Sequence, residues 1–347
     1  MTKADQARDR GEIIPAEVAA PYCEKYRVLP TLTLARLIYK ENSTIWPNLD
    51  ACRQCVSRIR GKHGKKNRVG SSYSGLFDEE ERTRVSPFAL PKSWAHPTNV
   101  YKIPKQYNNI GFISDAQVPF QDNQAIECAY GWLKSKNINA LFINGDWVDF
   151  YKLSNFEKDP RRRNFPLEYH SILQSLEHMR HHFPDIPIFY NLDANHEIRY
   201  ERYMMSKAPE LLSLDLPEFG LETLLKLSVF DITPLRNNHH ILIGKLPVLH
   251  GHTLFKGTVS SVSTARTVYM KTKMSTIASH CHQVNEWTTT KINGEMITCW
   301  TNGCLMDLNV EYNQHGNNYA HGVTRIETDS DDTFRVENKR IQKGVVL

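Results

Sequence analysis

Five short polar clusters in this 347-residue chain carry the residue types that hold divalent cations. Asp115 stands in Ser-Asp-Ala-Gln-Val-Pro, Asp146 in Asn-Gly-Asp-Trp-Val-Asp, and Asn195-His196-Glu197 follows Leu192-Asp193-Ala194. His250-Gly251-His252 and His280-Cys281-His282 complete the set. Carboxylate and amide oxygens together with imidazole nitrogens suit borderline and hard ions such as Mn²⁺, Zn²⁺ or Fe. Cys281 is the one thiol among them, so a structural zinc–thiolate site is not expected. Asp115, Asp146, Asn195, His250, His280 and His282 are too many ligands for one tetrahedral ion. They suit two ions bridged by a carboxylate, roughly 3.5–4 Å apart. Such a pair clamps a phosphoryl group, activates a water and stabilises the charge of an in-line displacement.

Each cluster follows a short apolar run that reads as a strand: Ile110–Ser114, Ala140–Asn144, Ile186–Tyr190, Leu246–Leu249 and Ile277–Ser279. Helical periodicity separates them over Asn123–Lys136 and Leu167–His182, and again near 197–206 and 221–227. Strands alternating with helices form βαβ units, and groups that act in such folds gather beyond the carboxyl ends of the strands. The last third reads as antiparallel strands at 286–290, 296–301, 322–328 and 334–340. The expected fold is layered α/β, with at least one sheet ending in hairpins.

The order of the five clusters resembles the calcineurin-like metallophosphoesterase superfamily. Its pattern is Asp-x-His, Gly-Asp-x-x-Asp, Gly-Asn-His-Asp/Glu, a lone His that is often His-Gly-His, and Gly-His-x-His. The likeness covers about residues 109–285. It implies a layered sandwich of two mixed sheets flanked by helices, and a hydrolase acting on phosphate esters. By position it places Asp115 and His282 on a first metal and Asn195, His250 and His280 on a second, with Asp146 bridging. It makes His196 the general acid, oriented by Asp149. The resemblance implies two divalent ions, Mn²⁺ first, with Mg²⁺, Zn²⁺ or Fe as the other choices. Gln117 stands where the family has histidine, Ala194 and Ser279 where it has glycine. An amide oxygen coordinates more weakly than imidazole, so Gln117 predicts a first metal held loosely or dependent on substrate. Phe150 and Leu192-Asp193-Ala194 occupy the places where the superfamily's protein phosphatases carry phosphate-gripping arginines, which argues against a phosphoprotein substrate.

Charge is uneven. Residues 1–70 hold 14 Lys and Arg against 7 Asp and Glu, a net +7 in a chain of net +5, so the remainder is −2. Arg53, Arg58, Arg60, Lys62, Lys65, Lys66 and Arg68 fall within an acid-free run at 51–70. Such a run attracts nucleic acid by releasing counterions, or serves as a solvated surface. Two short helices, one opened by Thr31 or Thr33 and one capped by Asp50 and ending at Gly61, are consistent with a helix-turn-helix reader or with a packing hairpin. This small all-α module at 1–70, a linker at 71–108 and a phosphoesterase domain at 109–347 form the expected domain plan. Such a module on such a domain is similar to phosphoesterases encoded by bacteriophages.

The substrate class follows: a phosphodiester in nucleic acid, DNA first, making the protein nuclease-like. The alternatives are a phosphomonoesterase or cyclic-nucleotide phosphodiesterase, and a DNA-binding protein whose phosphoesterase site is weakened by Gln117. A composition of 40% hydrophobic and 23% charged residues excludes wholesale disorder. No apolar run reaches membrane-spanning length and the polar N-terminus lacks a secretory h-region, so a cytoplasmic protein, in a phage-infected bacterial host on the narrower likeness, is expected. Seven scattered cysteines do not suggest disulfides, and Cys52-x-x-Cys55 on a helix reads as neither zinc nor redox site. Trp147 reads as core, His252 as support for the site, Arg161-Arg162-Arg163 as a solvated loop, and His239-His240 as part of a turn.

Overall fold

A computed structural model describes residues 13–60, 93, 99–154, 161, 164–256, 263–310 and 316–347. The chain divides into two compact units, Met1–Ser93 and Trp94–Leu347.

The first unit is helical. Helix α1 (Pro15–Lys25) begins with proline at its first turn, where the missing N–H costs nothing. Helix α2 (Thr31–Glu41) starts after Pro30 without a side-chain cap, so neither Thr31 nor Thr33 caps it. Helix α3 (Leu49–Ile59) is capped by Asn48, whose side chain accepts from the Ala51 N–H at 2.9 Å. Asp50, the expected cap, lies within the first turn and pairs with Arg53 at 2.7 Å. Ala19, Leu34, Ala35, Ile38, Trp46, Cys52 and Val56 form the core of the unit.

The basic residues meet different fates. Arg60 is drawn into the fold, its guanidinium donating to the carbonyls of Leu29 and Tyr26. Arg53 is held by Asp50, while Arg58 is exposed. Lys62, Lys65, Lys66 and Arg68 lie outside the described residues.

The second unit contains two mixed sheets flanked by helices. Strands β2 (Asn109–Ile113), β3 (Ala140–Ile143), β4 (Ile188–Asn191) and β5 (Ile232–Leu235) run parallel, and β11 (His321–Thr328), β12 (Phe334–Gln342) and β13 (Val345–Val346) extend that sheet antiparallel in the order β13-β12-β11-β2-β3-β4-β5. The other sheet has the order β1-β6-β7-β8-β10-β9, built from β1 (Asn99–Lys102), β6 (Asn238–Ile243), β7 (Leu246–Leu249), β8 (Thr276–Ala278), β9 (Asn285–Thr290) and β10 (Met296–Thr301).

Period-two alternation sorts the core into layers. Ile110, Phe112, Ala140, Phe142 and Phe189 face the second sheet's Ile241, Ile243, Val248 and Ile277. Their neighbours Ile113, Leu141, Ile143 and Ile188 pack instead with residues of helices α4 (Asn123–Ser135) and α5 (Phe165–His182). On the second sheet's other side, Val268 of a helix at Thr264–Thr272 joins Ala278, Ile297 and Cys299.

Two boundaries differ from expectation, while the late strands form antiparallel hairpins as expected. Asn99–Lys102, inside the stretch read as linker, is an edge strand parallel to β6; its exposed residues carry no apolar run to betray it. Residues Asn238–His240, read as part of a turn, are the start of β6. The four late strands divide between the sheets, β9 and β10 in one and β11 and β12 in the other. All seven cysteines are free thiols. Among the described residues, no helix is long and apolar enough to cross a membrane.

Candidate functional site

Parallel neighbours deliver the polar residues to one edge. Strands β2, β3 and β4 lie side by side and run on into Asp115, Asp146 and Asn195; β7 and β8, parallel in the other sheet, run on into His250 and into His280 and His282. Asn144 stitches the two sheets together there. Its Nδ2 donates to the Leu249 carbonyl and to Ser279 Oγ, both at 2.9 Å, and its own carbonyl lies 2.7 Å from His250 Nδ1. Ser279 thus uses the hydroxyl that distinguishes it from glycine.

The backbone turns sharply at these positions. Asp115, Gln117, Asp146, His280 and His282 have φ values of 55°, 48°, 48°, 71° and 57°, a left-handed region that non-glycine residues occupy rarely and chiefly at functional sites. Gly145, at φ 85°, packs against Ala194 so closely that a Cβ on it would lie 2.2 Å from the Ala194 Cβ. The chain therefore tolerates alanine at 194 only while 145 stays glycine.

Lone pairs converge at the centre. Asp146 Oδ2 lies 3.1 Å from His250 Nε2, 3.6 Å from His196 Nε2 and 3.9 Å from His280 Nδ1. Asn195 Oδ1 is 3.0 Å from the same His250 nitrogen. Asp115 Oδ1 is 3.1 Å from His282 Nε2, and Gln117 Nε2 is 3.3 Å from that nitrogen. The contacts of Asp146 Oδ2, Asp115 Oδ1 and His280 Nδ1, all buried atoms, lack hydrogen-bond geometry. His250 Nδ1 is turned to a carbonyl, which leaves Nε2 aimed at the carboxylate. Buried acceptors rarely go unsatisfied, and acceptors gathered at this spacing can share a proton or a divalent cation. Asp146, His250 and His280 form a group able to hold a metal ion.

The electrostatics agree. Burial works against charge on His250, yet Asp146 beside it pushes its pKa up to about 10. Burial likewise opposes ionisation of Asp146, but His196 and His250 hold its carboxyl well below the usual range. Asp115 is lowered too, His282 outweighing burial. Concentrated negative charge thus draws in whatever positive charge is available, proton or metal. His252, 5.7 Å from His250 between ring centres, is pushed down to about 4 by burial and by that neighbour, and stays neutral.

His196 sits on the rim of the cluster. Its Nδ1 is 3.0 Å from Asp149 Oδ1 and its backbone N–H donates to Asp146 Oδ1 at 2.9 Å. Arg199, in the first turn of helix α6 (Ile198–Lys207), donates from Nη1 to the Asp149 carbonyl at 2.6 Å and brings Nη2 to 3.0 Å from His196 Nε2.

Two further carboxylates brace the loops. Glu197 accepts from the backbone N–H groups of Asp146 and Trp147 at 2.9 and 3.0 Å and from the Tyr190 hydroxyl at 2.6 Å. Burial and the nearby Asp146 push it up to about 7. Glu168 accepts from the Tyr151 N–H at 2.8 Å, just after Asp149, and burial pushes it up to about 7 as well. The folded protein therefore holds the Glu168 proton longer than the unfolded chain does. Stability from this residue is full below about pH 4.5 and is lost as pH rises through about 7. Glu168→Gln should flatten that decline and raise stability at pH 8 relative to pH 5, measured by urea unfolding at both.

All seven sequence-derived ligand candidates and both catalytic candidates lie within this one network. The sequence marks Glu197 only as a member of the Asn195-His196-Glu197 cluster, with no role of its own, and does not mark Asn144 or Arg199 as site residues. Glu197 directly follows the Asn-His pair, a spacing that could have marked its role; a brace such as Asn144, two residues before Asp146, has no signature of its own. Trp147 is core, with Nε1 donating to Ser175 Oγ at 3.1 Å, and Asp122 caps α4. A second group of cation-binding type, Glu127, His178 and His182, lies at the surface of α4 and α5, with His178 paired to Glu127 at 2.9 Å.

No family model matches the chain. The Gene 54 protein of Mycobacterium phage L5 is 26% identical over 176 residues, covering 49% of this chain and 68% of that protein. Among solved structures, vacuolar protein sorting 29 of Cryptosporidium parvum matches with a TM-score of 0.30 and 10% identity, over 68% of this chain and 98% of its own. Vps29 of Chaetomium thermophilum matches with a TM-score of 0.30 and 11% identity, over 68% and 99%.

Proposed function

We propose that the protein is a dinuclear metal-dependent phosphoesterase that hydrolyses phosphodiester bonds, with nucleic acid as substrate. One observation carries this reading: the buried Asp146 Oδ2 and Asp115 Oδ1 each lie 3.1 Å from an imidazole nitrogen at one strand edge. Asp115, Gln117 and His282 would hold one ion, Asn195, His250 and His280 the other, with Asp146 between them. Bound there, divalent ions supply a Lewis acid for the phosphoryl oxygens and lower the pKa of water.

The chain's own residues do the rest. Glu197 fixes the Asp146 backbone, so the carboxylate is presented without side-chain search. Asp149 fixes the His196 ring through Nδ1, directing Nε2 toward the leaving-group oxygen, which takes a proton as the ester bond breaks. A recess beside His250, lined by Asn191, Asp193, Asn238 and His252 together with Ile241 and Val248, would give room for the flanking part of a substrate.

Metal-free protein should turn over neither p-nitrophenyl phosphate nor its bis ester, and added Mn²⁺ should restore hydrolysis of the bis ester. Turnover that chelators leave untouched would overturn the reading. The basic segment would deliver nucleic acid. Replacing Lys62, Lys65, Lys66 and Arg68 together by alanine should weaken binding to duplex DNA and shallow its salt dependence by up to about 3–4 in log–log slope. The same variant should keep full activity on the bis ester. The use of Arg60 inside the helical unit and the pairing of Arg53 favour a second reading, a phosphomonoesterase or cyclic-nucleotide phosphodiesterase. Preference for p-nitrophenyl phosphate over the bis ester, without DNA binding, would select it.

A further inference from the structure

We infer that Arg199 is the residue that grips the substrate's phosphate, moving Nη2 from His196 onto a non-bridging oxygen while Nη1 stays anchored on Asp149. The inference rests on the phosphoesterase reading above and names a contact that reading leaves open.

Three observations carry it. Arg199 borders the cluster directly: Nη2 is 3.0 Å from His196 Nε2, and that nitrogen is 3.6 Å from Asp146 Oδ2. One end of the guanidinium is fixed, with Nη1 donating to the Asp149 carbonyl at 2.6 Å and lying 3.3 Å from Asp149 Oδ1. The side chain keeps 17% of its surface open, and the Nη2 contact with His196 is only partly buried.

The exchange is favourable on simple grounds. A guanidinium carries donors only, so a ring nitrogen facing it acts as an acceptor. A phosphate oxygen carries negative charge, so it adds to the guanidinium bond a coulombic attraction that a neutral ring nitrogen lacks. Phosphate would therefore take Nη2 from the imidazole. The same exchange frees the His196 Nε2 lone pair, which Arg199 caps in the resting protein; that nitrogen must then take up a proton from solvent before it can pass one to the leaving-group oxygen. Phosphate occupancy and access to His196 become one event, and the arginines absent at Phe150 and Leu192–Ala194 are replaced from the following helix.

Inorganic phosphate is the probe, titrated by calorimetry into Mn²⁺-loaded wild type, Arg199→Ala and Arg199→Lys, with metal content measured for each. Arg199→Ala should bind phosphate roughly ten- to a hundredfold more weakly, the range of one charge-assisted hydrogen bond, with metal content unchanged. Arg199→Lys should recover part of the loss, and KM for the bis ester should rise. Phosphate affinity unchanged in Arg199→Ala, with only kcat reduced, would mean that Arg199 merely orients His196, and would overturn the inference. Should the alanine variant not fold, Arg199→Gln is read in the same way. Wild-type protein that binds neither Mn²⁺ nor phosphate would defeat the phosphoesterase reading itself, a result distinct from loss of the arginine contact alone.

Discussion

Asp146→Asn should leave the fold standing and remove nearly all turnover, by roughly a thousandfold or more, because both proposed ions lose the carboxylate they share. The substitution keeps size and shape. The Asp146 N–H still meets Glu197, and an amide oxygen can still accept from the His196 N–H. What disappears is the negative charge that sets its neighbours: His250 should fall from about 10 toward its ordinary value once that carboxylate is neutral. Metal analysis after dialysis against Mn²⁺ provides the check, alongside histidine titration by NMR in the metal-free protein. Full metal content together with wild-type turnover would show that Asp146 is not the shared ligand.

The second large effect is on stability. Glu197→Ala should destabilise the metal-free protein by about 3–6 kcal/mol, since three buried donors, the N–H groups of Asp146 and Trp147 and the Tyr190 hydroxyl, lose this acceptor at about 1–3 kcal/mol each, less whatever water repairs. Glu197→Gln keeps one acceptor oxygen and should fall between. Urea unfolding measures both. The alanine variant should also bind Mn²⁺ more weakly although Glu197 faces backbone, because the Asp146 turn it braces would be free to relax. A loss below about 1 kcal/mol would mean the loop holds itself.

Much of this site could be read in the sequence because buried parallel strands announce themselves. Ile110–Ile113 and Ala140–Ile143 are nearly continuous apolar runs, and a polar residue directly after such a run must lie at the strand's carboxyl end. What stayed hidden depends on pairing across long separations. The edge strand at Asn99–Lys102 exposes most of its residues and is defined only by β6, more than a hundred positions later. Pro234 disguised β5, the other edge of a parallel set. Asn144 looks like any loop amide until Leu249 and Ser279 are brought to it from the opposite sheet. Arg60 counted as one more positive charge, and only the carbonyls of Leu29 and Tyr26 show that its charge is committed inward.

The left-handed residues around the strand edge have a mechanical consequence. Each non-glycine residue held there stores on the order of 1 kcal/mol or more, and five of them border the same few ångströms. That tension is concentrated in the rim and spares the sheets beneath, so the rim should be where the ion-free molecule first breathes. Amides of 115–117 and 280–282 should exchange with deuterium sooner than those of β2 and β3, and Mn²⁺ should slow them selectively, the cation acting as a latch on a spring already wound by the chain.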